Sequence, residues 1–227
     1  MKKRLFLAVS FSVPVTRRLA EAALKMRPAA DKAGIRASWA PSANLHVTLK
    51  FLGWTNADVV DAVRDRVREA AAGRKGFDIG ARGVGAFPDE NHPSVLWIGV
   101  TDAHGALKEL AETIDVATSK LGFARETRPF HPHVTVARVR EGRGGLAEVF
   151  APFRQTDFGQ SLVREVVLYE SITKSKGSEY VALFRIPLEA APPRAERQTR
   201  EVEEGSTSED ANGGPTGESD RARRQLD

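Results

Sequence analysis

The order of apolar and polar positions along the chain predicts a mixture of strands and helices. Apolar residues in a run, or alternating with polar ones, are typical of strands, and a spacing of three or four is typical of a helix with one buried face. These patterns predict extended segments at Arg4 to Val9, Ile35 to Trp39, Leu45 to Leu52, Phe77 to Phe87, Ser94 to Val100, around His133 to Arg138, Ser161 to Glu170 and Glu179 to Ile186. They predict helices from Pro14 to about Met26, from Thr55 or Asn56 to Gly73, and from about Gly105 to Leu121.

One element occurs in both halves of the chain. The segments WAPSANLHVTLKFLG and ETRPFHPHVTVARV each follow a predicted helix and contain a proline-bearing connector, then a strand with the triplet His-Val-Thr. A repeated unit of this kind is the signature of an internal duplication. We therefore expect two similar lobes related by an approximate twofold axis.

The repeated triplets carry the candidate chemistry. Side chains alternate between the two faces of a strand, so His46 and Thr48 share one face, as do His133 and Thr135. If the two strands meet across a cleft, two imidazoles and two hydroxyls converge on one bound group, and a phosphodiester fits that arrangement. The unperturbed pKa of histidine is about 6.5, so one imidazole can act as base and the other as acid near neutral pH.

Composition and charge narrow the classes of partner and of site. The net charge of the chain is +4, but residues 1–188 hold 28 basic and 20 acidic groups, which gives this part +8. An excess of positive charge favours polyanions such as RNA. The chain has no cysteine, which excludes disulfides, thiolate zinc sites and a thiol nucleophile.

The two ends of the sequence bear on the domain boundaries and on the cellular compartment of the protein. Residues 1–188 are expected to form one domain with two lobes, and residues 189–227 a disordered, polar, acidic tail, because that stretch has almost no apolar residues. The basic start followed by LFLAVSFSVPV resembles a signal peptide, but Ser10, Ser12 and Pro14 interrupt the apolar run. No segment has the roughly 18 apolar residues of a membrane-spanning helix. A cytoplasmic protein is the expectation.

The phrases RLFLAV, NLHVTLKFLG, RPFHPHVTVARV and LYES, with Tyr180 after it, resemble the two-histidine phosphoesterase superfamily. The resemblance is to its bacterial RNA 2',3'-cyclic phosphodiesterases, also described as LigT-like 2'-5' RNA ligases, and covers about residues 4 to 188. It implies an α+β fold with two pseudo-symmetric lobes, each an antiparallel sheet backed by helices, around a central cleft.

The same resemblance implies a reaction and roles for four residues. The activity would be hydrolysis of RNA 2',3'-cyclic phosphate ends to 2'-phosphates, with reverse 2'-5' ligation as a further possibility. His46 would be the proton donor to the departing 3' oxygen, His133 the proton acceptor that activates water, and Thr48 and Thr135 the phosphate ligands. The predicted partner is RNA, with no metal, cofactor, membrane or obligatory protein partner, and the protein is expected to be a monomer.

Other interpretations stay open at this point. The alternatives are an enzyme that acts on a small cyclic nucleotide and a noncatalytic RNA- or nucleotide-binding module. His131 with His133 and His46 would offer an alternative zinc site.

Several further side chains are candidates for contacts with substrate. Lys50 and Arg138 are candidate phosphate contacts, although Arg138 faces the site only if its strand ends or bulges there. Trp39, Phe130 and Trp97 are candidates for base stacking, with core packing as the alternative.

Overall fold

The predicted alternation of strands and helices is present in the computed structural model, which describes residues 1–174 and 177–193. The strands are β1 (Lys2–Val9), β2 (Arg36–Trp39), β3 (Val47–Asn56), β4 (Phe77–Phe87), β5 (Val95–Thr101), β6 (His133–Glu141), β7 (Asp157–Val163), β8 (Glu165–Lys174) and β9 (Gly177–Pro187). The helices are α1 (Val13–Lys32), α2 (Val60–Ala71), α3 (Ala106–Ser119) and α4 (Leu146–Phe150), and short 3-10 turns cover Ser42–Asn44 and Ala57–Val59.

The strands form one antiparallel sheet that has two halves. Its order is β7-β4-β5-β6-β3-β1-β8-β9, with β2 paired separately to β6. We call β3, β1, β8 and β9 the β3 lobe, and β6, β5, β4 and β7 the β6 lobe. The two strands with the His-Val-Thr triplets meet at the centre, where Val47 pairs with Val134. This arrangement confirms the predicted α+β fold with two lobes of antiparallel sheet.

Helices α1 and α3 join the two lobes, because each packs on the lobe opposite the strand that it follows. Helix α1 follows β1 of the β3 lobe but contacts β7 and β6 of the other lobe, and it packs against α4. Helices α2 and α3 pack against each other, with α2 on β9 and α3 on β3. Fully buried apolar residues from both lobes form one continuous core, among them Leu5, Leu19, Ile98, Leu110 and Phe150. Removal of this apolar surface from water is the main force that holds the motif strands together.

Predicted segments differ from the structure in three places. Strand β3 continues past Leu52 to Asn56, so the helix predicted from Thr55 or Asn56 begins only at Val60, after a 3-10 turn. Helix α1 continues past Met26 and Pro28 to Lys32, because Ala30 extends the buried stripe by another turn. The single strand predicted from Ser161 to Glu170 is wrong: it divides at Arg164 into β7 and β8, which lie in different lobes. Apolar residues such as Val163 and Val166 are buried on either side of Arg164, so the continuous apolar run does not mark the break between the two strands.

The chain after β9 turns back against the segment between α2 and β4. The backbone N–H of Glu189 donates to the carbonyl of Arg74, and the N–H of Gly76 donates to the carbonyl of Glu189. The predicted disordered tail falls almost entirely on residues 194–227, which lie outside the described residues. In the part of the chain that is described, no helix combines the length and apolar character needed to span a bilayer.

Candidate active site

A cavity of about 1120 Å³ lies where the two lobes meet, and both triplets line it. The strands run antiparallel through the Val47–Val134 pair, so His46 lies on the side of Thr135, and Thr48 lies on the side of His133. The two valine side chains are fully buried on the opposite face. The structure therefore brings together all four site residues predicted from the sequence.

The orientation of both imidazoles is fixed in the same way. Nδ1 of His46 donates to the carbonyl oxygen of Asn44 at 2.8 Å, and Nδ1 of His133 donates to the carbonyl oxygen of His131 at 2.7 Å. A carbonyl only accepts, so each Nδ1 carries a proton and Nε2 is the nitrogen that can gain or lose one. In both halves the partner is the residue two positions earlier, at the end of the proline-bearing connector, and the bond sets the position of the ring.

The two histidines differ in their aromatic surroundings. Phe6 stacks on the ring of His46 with centroids 4.8 Å apart, and Tyr180 presents its edge at 5.3 Å. His133 meets the edge of Phe87 at 5.0 Å. His46 also has a direct contact within its own triplet, because its Nε2 lies 3.0 Å from Oγ1 of Thr48. The hydroxyl donates to the neutral ring and accepts from the protonated one.

The environment lowers the pKa of both imidazoles. Burial is the main cause for His46 and, together with the positive charges of His133 and Arg138, it lowers the pKa to about 4, although the bond to Asn44 acts in the opposite direction. Burial also lowers the pKa of His133, against the bond to the His131 carbonyl, and Arg138 adds to the decrease. Both rings are therefore mainly neutral near pH 7 in the free protein.

Arg138 faces the cavity because β6 contains a bulge. On the partner strand Leu96 pairs with Ala137 and Trp97 pairs with Thr135, which leaves Val136 as the extra residue. The bulge returns Arg138 to the face that carries His133 and Thr135, and its side chain lines the cavity. Within residues 1–174 and 177–193, Arg138 has no carboxylate at ion-pair distance. The bulge required by the sequence prediction is present.

Lys50 is not the phosphate contact that its position after the first triplet suggested. Lys50 borders the cavity, but its ammonium group is buried, forms an ion pair with Asp115 and donates to the carbonyl of Ala124 at 2.5 Å. The cause is a pair of bulges in β3, which break the alternation after Thr48 and turn Lys50 inward. The prediction for Lys50 is wrong because register decides which face a residue occupies.

The aromatic candidates separate into two groups. Trp39 and Phe130 line the cavity, as the stacking interpretation requires. Trp97 is not part of its wall and packs against Phe87 and His131, with ring centroids 5.3 and 5.0 Å apart. Core packing is therefore the better interpretation of Trp97.

The zinc site considered from the sequence does not form. His131 packs against the rings of Trp97 and Phe87, and the described residues contain no group of three or more His, Cys, Asp or Glu side chains arranged to hold a metal ion.

Sequence reasoning missed the aromatic shell around His46 and several basic residues of the cavity wall, namely Arg4, Arg128, Arg140 and Lys174. Tyr169 and Tyr180 belong to the quoted LYES phrase and its continuation. They lie on the paired strands β8 and β9, where Tyr169 is opposite Ala182 and Tyr180 is opposite Ser171, and both rings lie near His46. Arg4 lines the cavity from β1. It stands at the polar start of β1, after Lys2 and Lys3, so the pattern of the strand did not single it out.

The chain is similar to one family of known proteins over most of its length. The family model described as the 2'-5' RNA ligase superfamily matches residues 17–174. The protein from Aeropyrum pernix named RNA 2',3'-cyclic phosphodiesterase is 29% identical over 164 residues, which cover 71% of this chain and 92% of the relative. A protein of the same name from Methanothermobacter thermautotrophicus is 30% identical over 190 residues, or 82% of this chain and the whole of the relative.

Solved structures have the same architecture. A crystal structure from Thermus thermophilus superposes with a TM-score of 0.68 at 28% identity and covers 82% of this chain and 98% of the other. The apo crystal structure of E. coli LigT superposes with a TM-score of 0.66 at 25% identity over the same shares of the two chains. These likenesses support the two-lobed fold from β1 through β9.

Proposed function

The chain belongs to the 2'-5' RNA ligase superfamily, and from that premise we propose that it hydrolyses RNA 2',3'-cyclic phosphate ends to 2'-phosphates. One observation carries the proposal: two imidazoles with equivalent backbone anchors face one cavity, each beside a hydroxyl. The names of the relatives supply the substrate class, and the geometry supplies groups able to move the protons that this reaction requires.

The proposed step is a hydrolysis with acid and base on opposite sides of the phosphorus. Nε2 of His133 takes a proton from water while the water oxygen bonds to phosphorus. The bond from phosphorus to the 3' oxygen breaks, and Nε2 of His46 gives that oxygen a proton. The products are a 3' hydroxyl and a terminal 2'-phosphate. If a 5' hydroxyl takes the place of water, His133 takes its proton, the same bond from phosphorus to the 3' oxygen breaks and His46 protonates that oxygen, and the product is a 2'-5' linkage.

Three side chains are proposed to hold the phosphate oxygens. Thr48 and Thr135 lie on the cavity face next to the two imidazoles, and their hydroxyls can donate to nonbridging oxygens. Arg138 brings a guanidinium to the same wall, and a planar guanidinium binds phosphate through parallel hydrogen bonds. The positive charge of Arg138 also offsets the negative charge that gathers on the phosphate during attack by water.

The assignment of acid and base comes from the family resemblance, and it requires His46 to be protonated in the complex with substrate. An acid must hold its proton when substrate is bound, whereas the free protein lowers the pKa of His46 to about 4. A bound phosphodiester supplies a negative charge beside the ring and favours the imidazolium, so substrate itself raises this pKa. The predicted independence of metal, the monomeric state and the cytoplasmic location stay predictions.

The test is incubation of the protein in EDTA with an oligonucleotide that ends in a 2',3'-cyclic phosphate. We expect a 2'-phosphate product, identified by 31P NMR. We expect His46→Ala and His133→Ala each to lower turnover by about 100- to 10,000-fold, the usual contribution of acid and base catalysis. His92→Ala is the matched control, because His92 is 64% exposed and lies outside the cavity wall.

Two results would contradict the proposal. Loss of activity in EDTA that zinc restores would indicate metal-dependent chemistry. Equal activity of the wild type and both histidine variants would show that the pair does not catalyse the reaction.

A further inference from the structure

Two aromatic side chains next to the cavity are exposed to solvent. Phe51 is 60% exposed and Trp54 is 68% exposed, and every other phenylalanine and tryptophan of the described chain is buried or half-buried. Phe51 also lines the cavity. Exposed aromatic rings lose the free energy that burial would give them, so a pair beside a cavity indicates a binding surface.

A bulge at Gly53 places both rings on the cavity side of the sheet. Phe51 and Trp54 are three residues apart, so a regular strand would point them to opposite faces. Gly53 has a φ of +70°, and the pairing with β1 shifts there by one residue. As a result Phe51 lies opposite Phe6, and Trp54 lies opposite Arg4. Phe6 and Arg4 are two apart on one face of β1, and both line the cavity.

A positive charge lies beside the outer ring. Arg4 is exposed, and within the described ranges it has no carboxylate at ion-pair distance, whereas its neighbour Lys3 is paired with Glu170. A free guanidinium next to exposed aromatic rings is the combination that binds single-stranded nucleic acid, with bases on the rings and a phosphate on the cation.

We propose that Phe51, Trp54 and Arg4 form a path for the nucleotides that precede the cyclic phosphate. The inference rests on the proposed function and names its substrate class: an oligonucleotide with a single-stranded 3' end rather than a mononucleotide. A cyclic phosphate ends the chain, so all remaining nucleotides leave the catalytic pair in one direction. The eight residue steps from His46 along β3 to Trp54 span at most roughly 26 Å. Stacked nucleotides repeat every ~3.4 Å, so this length holds several of them.

The test compares Trp54→Ala on two substrates that share the reacting group. On a single-stranded oligonucleotide with a 2',3'-cyclic phosphate, we expect kcat/KM to fall about tenfold with little change in kcat, since one base stack is lost. On a 2',3'-cyclic mononucleotide we expect no change, because Trp54 lies beyond its reach. Trp54→Phe should keep most of the activity on the oligonucleotide. Leu24→Ala on α1 is the matched control, since it removes an apolar side chain that is 67% exposed and outside the cavity wall.

A binding measurement separates this inference from the proposed function. Fluorescence anisotropy of a labelled single-stranded RNA with the His133→Ala protein needs no turnover, and Trp54→Ala and Phe51→Ala should each weaken that binding about tenfold. Failure of the wild type to hydrolyse either substrate would contradict the proposed function, but the binding measurement would still test whether RNA binds along Phe51, Trp54 and Arg4. Unchanged RNA affinity would overturn the path. So would a dimer in sedimentation that Trp54→Ala dissociates, because the rings would then bind a second copy.

Discussion

At the scale of single residues, the protonation of His46 and His133 governs how activity depends on pH. The pH profile of kcat/KM reports the free enzyme, where the pKa of His46 is about 4 and that of His133 is below its usual value of 6.5. The proposed mechanism requires His46 protonated and His133 neutral. When the pH lies above both pKa values, the fraction of His46 that is protonated falls as the pH rises. When the pH lies below both, the fraction of His133 that is neutral falls as the pH falls. We therefore expect kcat/KM to be maximal below about pH 6.5 and to fall roughly tenfold per unit above it.

The profile of kcat should lie at higher pH than that of kcat/KM. In the complex the negative phosphate favours both imidazolium forms, which raises both pKa values. NMR titration of the two ring protons, without and with inorganic phosphate, measures this shift directly. A pKa of His46 near 6.5 in the free protein, or one that phosphate leaves unchanged, would contradict the account of how a buried ring serves as the acid.

At the scale of elements, a buried ion pair holds the connector between α3 and β6 at the edge of the cavity. Residues 122–132 form no helix or strand, and they include Arg128 and Phe130 of the cavity wall. Asp115 of α3 accepts from Lys50 of β3, from Nε of Arg125 at 2.5 Å and from the backbone N–H of Glu126 at 3.2 Å. This carboxylate therefore joins a strand, a helix and the connector.

Asp115→Asn should destabilise the fold and weaken substrate binding. It leaves the buried ammonium of Lys50 without its counter-charge, and such a loss costs about 3–5 kcal/mol. We expect a lower midpoint of chemical denaturation and a higher KM. Asp65→Asn, which breaks an exposed ion pair on α2, should cost less than about 1 kcal/mol. The double variant Asp115→Asn with Lys50→Met should recover much of the stability without restoring KM; recovery of both would contradict a role of Asp115 in positioning the connector.

The ion pair between Lys50 and Asp115 makes the free energy of unfolding depend on pH under acidic conditions. Burial raises the pKa of Asp115, but the bonds from Lys50, Arg125 and the backbone of Glu126 outweigh it, and the net pKa is lowered. A carboxyl whose pKa is lower in the folded state stabilises the protein fully above its unfolded value of about 4. That stabilisation is lost as pH falls below this value through the folded pKa.

The element scale also shows where prediction from sequence ends. Within each triplet, alternation is regular, and the faces of His46, Thr48, His133 and Thr135 were predicted correctly. Beyond the triplets, bulges decide the face, and a bulge depends on the partner strand rather than on the local pattern. Arg138 lies five residues after His133, as Phe51 lies five residues after His46. Lys50 and Ala137 each lie four residues after the histidine of their half. One cation therefore faces the cavity and the other is buried.

At the scale of the whole molecule, the candidate active site depends on both lobes, which contact each other directly through few strand residues. The strands β3 and β6 share one residue pair, and the helices that cross between lobes supply the remaining attachment. The duplication of the triplet predicted two lobes, but not that α1 packs on the lobe opposite its own strand. A helix packs on an apolar face of the sheet that no other element covers. Which faces are uncovered can be known only from the complete sheet, so the local sequence does not predict the crossing.

Positive charge beside the cavity, such as that of Arg4, should make activity on RNA more sensitive to salt than activity on small substrates. Each phosphate contact on a single strand contributes a slope of about −0.7 in the logarithm of affinity against the logarithm of salt concentration. Below saturation kcat/KM follows that affinity, so we expect a steeper slope for the oligonucleotide than for a 2',3'-cyclic mononucleotide. Arg4→Gln should reduce the oligonucleotide slope by about 0.7 and leave the mononucleotide slope unchanged. Arg27→Gln removes the same charge from the exposed side of α1, outside the cavity wall, and should change neither slope. Equal effects of the two arginine variants would show that RNA responds to net charge alone, because only a contact at a defined position makes the loss specific to Arg4.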